Sequence, residues 1–330
     1  MERVRISDIA EELGLSTATV SNVIHGKTGK VSPETVRRVQ EALEKRRYIP
    51  SMAGILLAQN DSRIIGVVIN DHEKYQDHLL EDPFIAASLN ALAAEIDHRG
   101  LFMMVKATTK PQDIIRFASM WNLEGMVLIG FCQEDYQLLR DQMHIPFVVY
   151  DGYLEDPRGI CNLTLDNFDG GFQVGQFFRN LGHKRALCIA DNDICMDRER
   201  REGFSAGFGA ADFWQIPMEQ EARRQFYEER LELLMQYTAV FAVSDYYAAD
   251  LMRFLQSKGV SVPGQISMAG FDDTPLCGQM APALTSVRQD NALRARLALE
   301  KLAAMKAGEE SGSTLRLPVT LIKRDSTCSP

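Results

Sequence analysis

The sequence predicts a small all-α head followed by an α/β body built as two parallel-sheet lobes, and three observations carry that expectation. Residues 6–24, ISDIAEELGLSTATVSNVI, contain two helix-length segments broken by Gly14, and SPETVRRVQEALEKRR supplies a third amphipathic stretch. From residue 64 onward, short apolar runs alternate with helical stretches in the βαβ rhythm of a parallel sheet, and the cycle occurs twice. The length, 330 residues, holds two or three domains with ample core, and 45% apolar with 25% charged residues is the balance of an ordinary soluble globular chain.

In the head, Ser7 is expected to cap the first helix, Asp8 suits its positive N-terminus, Ile9, Ala10 and Leu13 share one face, and Gly14 stops it. Ser16 or Thr17 caps the second helix. There Val20, Val23 and Ile24 fall at helical spacing, while the small residues Thr17, Ala18, Ser21 and Asn22 face outward. Two short helices meeting at a glycine turn form a helix-turn-helix pattern, whose second helix fits a DNA major groove and brings short polar side chains close to base edges. The same pattern also describes a pair of surface helices in a larger domain. After the turn HGKTGK, Ser32 and Pro33 start the third helix, with Val36, Val39, Ala42 and Leu43 as its buried stripe. Tyr48, Ile49 and Pro50 end the head, which is near the lower size limit for a self-sufficient core.

Charge is unevenly placed. Residues 1–60 hold nine Lys/Arg against seven Asp/Glu, a net of +2, while the rest holds 27 against 38, a net of −11. Nucleic acid would be repelled everywhere except at the head, where Lys27, Lys30, Arg37, Arg38, Lys45, Arg46 and Arg47 gather.

Residues 51–62 read as a linker: the apolar segment 52–58 is too short to nucleate a helix unaided. In the body, strands are expected at 64–69, 102–105, 126–129 and 147–150, with helices at 84–98, 113–121 and 135–142; a second cycle places strands at 162–165, 186–190, 240–243 and 266–269, with helices at 170–180, 199–210, 229–236 and 247–258. Ligands of open parallel sheets bind beyond the carboxyl ends of the strands, so two facing lobes would share a cleft.

Six cysteines, Cys132, Cys161, Cys188, Cys195, Cys277 and Cys328, include no CxxC pair, and the six histidines are dispersed, so neither a disulfide framework nor a metal site is expected. No uninterrupted apolar run of membrane-spanning length occurs and the N-terminus has no apolar signal core, which points to the cytoplasm. GFGAADF lacks the GxGxxG spacing, and GxSxG and GxxxxGK[ST] are absent, so no catalytic residue and no cofactor is nominated.

The ordered landmarks SDIAEELGLSTATVSNVIHG, VSPETVRRVQEAL, YIPSMA, IIGVVI, PFIAASLNAL, the DN-GG run at 166–171, LGHKRALCIAD, RREGF, GFDD with PALTSVRQD, and LPVTLIKRDST together resemble the LacI/GalR family of bacterial transcription regulators. The resemblance covers nearly the whole chain. It implies a helix-turn-helix head at 1–50, a hinge at 51–62 and a periplasmic-binding-protein-like body at 63–330. Lobe one would comprise about 63–161 and 291–321, and lobe two about 162–290 and 322–330.

It further implies residue roles. Thr17, Ala18 and Asn22 fall where the family reads base edges; Asn22 suits a bidentate bond, most readily to adenine, and Ala18 offers a methyl. Ser16, Thr19, Ser21, His25 and Lys30 are candidates for backbone phosphate contacts, or for plain solvated surface. Leu57, beside Ala58, occupies the place of a minor-groove wedge in a hinge helix, though Ser51, Gly54 and Ile55 depart from the common pattern there. In the cleft, Arg200 in RREGF and Asp272 in GFDD match an effector-binding pair, suited to sugar hydroxyls or an anionic group. Phe84 could stack on a ligand ring, and Asp151 and Ser244 are further candidates, with Asp245 expected to cap the following helix. The run 71–82, DHEKYQDHLLED, reads as a loop at the cleft mouth.

The function expected is a homodimeric, sequence-specific DNA-binding regulator, a repressor of a near-palindromic operator controlled by a small-molecule effector, a sugar or sugar derivative. Control of the same fold by a protein partner is the alternative, and a solute-binding protein a further one.

Overall fold

A computed structural model describes residues 4–48, 62–72, 75, 78–131, 133–154 and 158–330. The chain divides into two compact units between Ser62 and Arg63. Of the linker, Ser51, Gly54, Ile55, Leu57 and Ala58 lie outside the described residues, as does Cys132.

The first unit holds α1 (Ile6–Leu13), α2 (Thr17–Ile24) and α3 (Pro33–Lys45). Its core consists of Ile9, Ala10, Val20, Val23, Val39 and Ala42, ringed by half-buried aliphatic side chains. Gly14 takes a left-handed conformation with φ +65°, which lets the chain turn sharply and return Leu15 N–H to the Ala10 carbonyl at 2.9 Å. Ser7 does not cap α1, contrary to expectation. The helix starts two residues earlier, with Arg5 as its N-cap, because the Asp8 carboxylate accepts the Arg5 N–H at 2.8 Å and so holds the first turn itself. Ser16 caps α2, accepting the Thr19 N–H at 3.1 Å, and Ser32 caps α3, accepting the Thr35 N–H at 3.2 Å.

The second unit runs, in order, β1 (Ile64–Ile69), α4 (Pro83–His98), β2 (Phe102–Ala107), α5 (Pro111–Trp121), β3 (Gly125–Ile129), α6 (Gln133–Gln142), β4 (Phe147–Tyr150) and β5 (Cys161–Leu165). It continues with α7 (Asn167–Leu181), β6 (Ala186–Ala190), α8 (Cys195–Phe208), β7 (Asp212–Gln215), α9 (Gln220–Glu229), α10 (Leu231–Leu234) and β8 (Ala239–Ala242). Last come α11 (Asp245–Ser257), β9 (Ser267–Asp272), α12 (Leu276–Gln279), β10 (Thr285–Gln289), α13 (Asn291–Lys306), β11 (Ser313–Leu317) and β12 (Val319–Ile322).

Among the described residues these strands form two six-stranded sheets, ordered β11-β5-β4-β3-β1-β2 and β12-β10-β9-β8-β6-β7. All neighbours are parallel except β10 and β12, which are antiparallel. Helices cover both faces of the first sheet, as a buried parallel sheet requires: Ile65, Val67 and Ile69 of β1 pack under α4 and α13, while Ile64 and Val68 pack under α5 and α6.

Three expectations are corrected. The strand at 162–165 does not open the second lobe; as β5 it lies inside the first sheet, paired with β4 on one side and β11 on the other. Conversely, Val319–Ile322 already pairs with β10, so the last crossover falls at Pro318 rather than at 322. An apolar run announces a buried strand but not which sheet receives it. Third, the helix expected at 229–236 is instead α9, which starts at Gln220 because the Glu219 carboxylate accepts the N–H groups of Glu221 and Ala222 at 2.9 and 2.6 Å; α10 follows as a single turn.

The α7–α8 contact is the closest helix packing in the body. A Cβ placed on Gly171 would lie 2.0 Å from the Arg200 carbonyl oxygen, and one on Gly203 would lie 1.9 Å from the Phe168 carbonyl oxygen. Gly175 and Gly207 repeat the pattern one turn on, at 2.2 and 2.3 Å from opposing carbonyls. Four glycines thus bring the two helix backbones into direct contact, which no larger residue would permit.

Candidate functional site

Two sets of candidate residues sit in different units. In the head, Thr17, Ala18 and Asn22 are all exposed on α2, and none of their side chains makes a hydrogen bond among the described residues. Their neighbours are more engaged. Ser16 and Thr19 share a hydroxyl–hydroxyl bond of 2.8 Å, Ser21 and His25 are half-buried, and Lys30 is exposed.

In the body, Arg200 stands on the first half of α8, and its position follows from the glycine contact, because its own carbonyl is the atom that Gly171 faces. Arg200 is 4% exposed. Its Nε donates to Asn167 Oδ1 at 2.9 Å, its Nη1 donates to the Val243 carbonyl at 2.7 Å, and its plane lies 3.6 Å from the Phe271 ring centroid. Asp272, at the end of β9 with φ +109°, places Oδ1 at 3.9 Å from Arg200 Nη1, an ion pair without a hydrogen bond.

From Asp272 the contacts continue into the first lobe. Gln289 donates its Nε2–H to Asp272 Oδ1 at 3.0 Å and accepts from Arg294 Nη1 at 3.3 Å. Arg294, fully buried on the first turn of α13, donates through Nη2 to the Leu163 carbonyl at 2.6 Å and pairs with Asp151 Oδ2 at 2.8 Å, its guanidinium 4.0 Å from the Tyr150 ring centroid. Asp151 Oδ1 accepts the Leu165 N–H at 3.3 Å. The sequence-nominated Arg200, Asp272 and Asp151 are therefore brought together, but through Asn167, Gln289 and Arg294, which sequence reasoning did not single out. Asn167 and Gln289 lay inside the quoted DN-GG and VRQD landmarks. Arg294 carried no signal, because an arginine on a polar-looking helix start reads as surface.

Ser244 and Asp245 exchange their expected places. Ser244 is the N-cap of α11, accepting the Tyr247 N–H at 3.4 Å. Asp245 is the first helical residue, 1% exposed, and its carboxylate accepts the Thr274 N–H at 2.8 Å and the Ser286 hydroxyl at 2.5 Å. Burial pushes the Asp245 carboxyl up to about 6. Burial also holds Asp272 well above the usual carboxylate range, with Asp245, Asp82 and Asp151 adding to the rise and Arg200 opposing it. Phe84 is half-buried at the start of α4, where the Asp82 carboxylate accepts its N–H and that of Ile85, both at 3.0 Å. Of the run 71–82, residues 73, 74, 76 and 77 are outside the described residues; Leu79–Glu81 forms one 3-10 turn with Leu79 buried.

A separate groove of about 740 Å³ runs along α4, lined by Ala86, Ala87, Asn90 and Ala94 and, across from them, by Pro275 and Leu276. It involves none of the Arg200–Arg294 network. No helix of the described residues is long and apolar enough to cross a membrane, and no cluster of metal-ligating side chains occurs among them.

Residues 5–51 match the family model for bacterial regulatory proteins of the lacI family, and residues 176–327 match that for a periplasmic binding protein-like domain. The chain is 28% identical to the HTH-type transcriptional regulator GalS of Salmonella typhimurium, over 98% of this chain and 96% of that protein. It is 27% identical to the HTH-type transcriptional repressor PurR of Photobacterium profundum, over 90% of each. In fold it is similar to the lac repressor dimer bound to operator and the anti-inducer ONPF, with a TM-score of 0.84 at 22% identity, covering 99% of this chain and 100% of that one. A transcriptional regulator CelR–cellobiose complex superposes with a TM-score of 0.69 at 24% identity, over 98% of this chain and 100% of that one.

Proposed function

The chain belongs to the LacI/GalR family of bacterial transcriptional regulators, and from that premise we propose how its residues divide the work. It is a sequence-specific DNA-binding regulator, a repressor, that acts in the cytoplasm as a homodimer. Residues 1–50 bind the operator, 51–62 form the hinge, and 63–330 bind the effector and pair the subunits.

On α2, Thr17, Ala18 and Asn22 read base edges, and Ser16, Thr19, Ser21, His25 and Lys30 contact phosphates. Leu57 and Ala58 enter the minor groove. Two heads on a two-fold axis call for a near-palindromic site.

The observation that carries the effector reading is the unbroken polar path from Asn167 through Arg200, Asp272, Gln289 and Arg294 to Asp151. It lies at the carboxyl ends of both sheets and crosses from the second lobe to the first at the β10–α13 junction. A polyhydroxylated ligand, a sugar or sugar derivative, meets donors and acceptors on both lobes there, with Phe84 available to its apolar face. Because the path spans both lobes, a ligand that engages Arg200 and Asp272 changes the balance between lobe arrangements, and the dimer passes that change to the heads.

The test uses genomic fragments selected on the purified protein, followed by titration of the complex with a sugar library. Arg200→Ala is expected to abolish the ligand response and to leave binding of the selected DNA intact. A retained response would remove Arg200 from the site.

A further inference from the structure

This inference concerns how the state of the cleft passes between the lobes, and it rests on the reading of Arg200 and Asp272 as effector-contacting groups. The chain crosses between the lobes at 165–167, 289–291 and 317–319. A rotation of one lobe against the other changes backbone angles at these short connections. Two of them are already joined, because the Asp166 N–H at the first donates to the Leu317 carbonyl at the third at 2.9 Å.

Gln289 stands at the remaining crossover, as the last residue of β10, and is 4% exposed. Its amide serves both lobes. On the side of the second lobe, Nε2 donates to Asp272 Oδ1 at 3.0 Å, and on the side of the first, Oε1 accepts from Arg294 Nη1 at 3.3 Å. Arg294 belongs to the first lobe, since α13 packs through Ala295, Ala298 and Leu299 onto the core of the first sheet. Its Nη2 donates to the Leu163 carbonyl at 2.6 Å and pairs with Asp151 Oδ2 at 2.8 Å, while Asp151 Oδ1 accepts the N–H of Leu165, the residue before Asp166, at 3.3 Å. The bonds that begin at Asp272 therefore end beside the other two crossovers.

An amide suits this place chemically. Asp272 Oδ1 is an acceptor and Arg294 has donors alone, so the group between them must donate to one and accept from the other, which fixes the orientation of the Gln289 amide. Gln289 and Arg294 are both withdrawn from water and cannot replace a lost partner with solvent. A shift of Asp272 is thus followed by Gln289 rather than absorbed.

We propose that Gln289 is the positioning residue that carries the state of Asp272 from the second lobe to the first, so that an effector engaging Asp272 acts on all three crossovers. Gln289 works through Asp272 and Arg294. Its removal therefore reduces what a bound effector does to DNA affinity at saturation, beyond any change in how tightly the effector binds.

The experiment is a double-mutant cycle read by amide hydrogen exchange on the full-length protein without ligand. Asp272→Ala takes the acceptor from Gln289 and is expected to raise exchange about fivefold or more in the first-lobe segments 161–166 and 291–296. In a Gln289→Met background the same substitution is expected to add less than about twofold there. Equal increments in the two backgrounds overturn the proposal, and so does Asp272→Ala with unchanged first-lobe exchange. Gln289→Asn keeps the amide on a side chain one methylene too short to reach both partners, and is expected to give the same cycle if the methionine variant does not fold. The regulatory consequence is read with neutral sugars, cellobiose and galactose among them, titrated onto protein bound to selected genomic DNA. For any sugar that changes the DNA affinity of the parent, the change at saturation is expected to fall to less than about a fifth in Gln289→Met. A full response at saturation overturns the proposal. A panel in which no sugar binds the parent counts against the effector reading of the cleft, and the ligand-free exchange cycle still decides whether Gln289 joins the lobes.

Discussion

The side chains assigned to DNA and those assigned to the effector are built on opposite principles. Thr17, Ala18 and Asn22 are exposed and bonded to nothing in the described structure, while the head beneath them is held by Ile9, Val20, Val39 and their neighbours. Arg200, Asp272 and Asp151 are at most 8% exposed, and each is tied to the fold by hydrogen bonds or ion pairs. In the head, the residues proposed to recognise DNA have no structural duty. In the body, the residues proposed to meet the effector also hold the fold through the same bonds, so substitutions there are expected to move stability as well.

Substitutions that strain this contrast are expected to differ widely in size. The largest effect belongs to Gly171→Ala, which forces a methyl into the Arg200 carbonyl oxygen where only 2.0 Å is free. Overpacking costs roughly 1–3 kcal/mol even when side chains can yield. Here the obstacle is backbone, so a loss of at least about 3 kcal/mol in denaturant unfolding is expected, together with loss of ligand binding. Unchanged stability would mean that α7 and α8 can separate and that Arg200 is not positioned by their contact.

Asp245→Asn tests the buried charge. The folded carboxyl titrates at about 6 against an ordinary aspartate value of 3.8, so the folded state holds the proton more tightly than the unfolded one. That contribution favours folding fully below about pH 4 and is lost as pH rises through 6. An asparagine has no such proton. The variant should therefore be least stable relative to the parent near pH 4 and recover by on the order of 2 kcal/mol by pH 7. A flat difference in unfolding free energy across that range would show that Asp245 does not titrate there.

The smallest effect on stability is expected at Asn22→Ala. Unfolding should move by no more than about 0.5 kcal/mol, while discrimination at one operator base pair falls by roughly 1–3 kcal/mol in competition binding. A destabilisation above about 1 kcal/mol would break the contrast, since it would give Asn22 a structural role.

Much of this was legible in the residues themselves. Gly14 between two apolar-faced segments, Ser16 and Ser32 ahead of helices, and the runs IIGVVI and ALCIA are local signals with local causes: a left-handed turn, an N-cap, a strand buried on both faces. Where such signals were ambiguous, a neighbour decided. Asp8 displaced Ser7 at the start of α1, and Ser244 took the capping position expected of Asp245, whose carboxylate turned inward to Thr274 and Ser286. The start of α9 was hidden because the polarity of EQEARRQFYEE reads as surface, although Arg223 and Tyr227 form a buried i, i+4 face with Asp250 as partner.

By itself, then, the amino-acid order determined the helices, most strands and the helix-turn-helix surface, because each depends on spacing of a few residues along the chain; Arg200 and Asp272 were nominated only through the family resemblance of RREGF and GFDD. Only the tertiary structure decided which sheet receives 161–165, how closely α7 and α8 approach, and that Arg294 joins Asp151 to Gln289 across the lobes. Those outcomes depend on partners more than a hundred residues away in some cases, such as Arg294 on the Leu163 carbonyl. A buried arginine is stable only where distant acceptors converge on it, and that convergence is a property of the folded chain rather than of any segment.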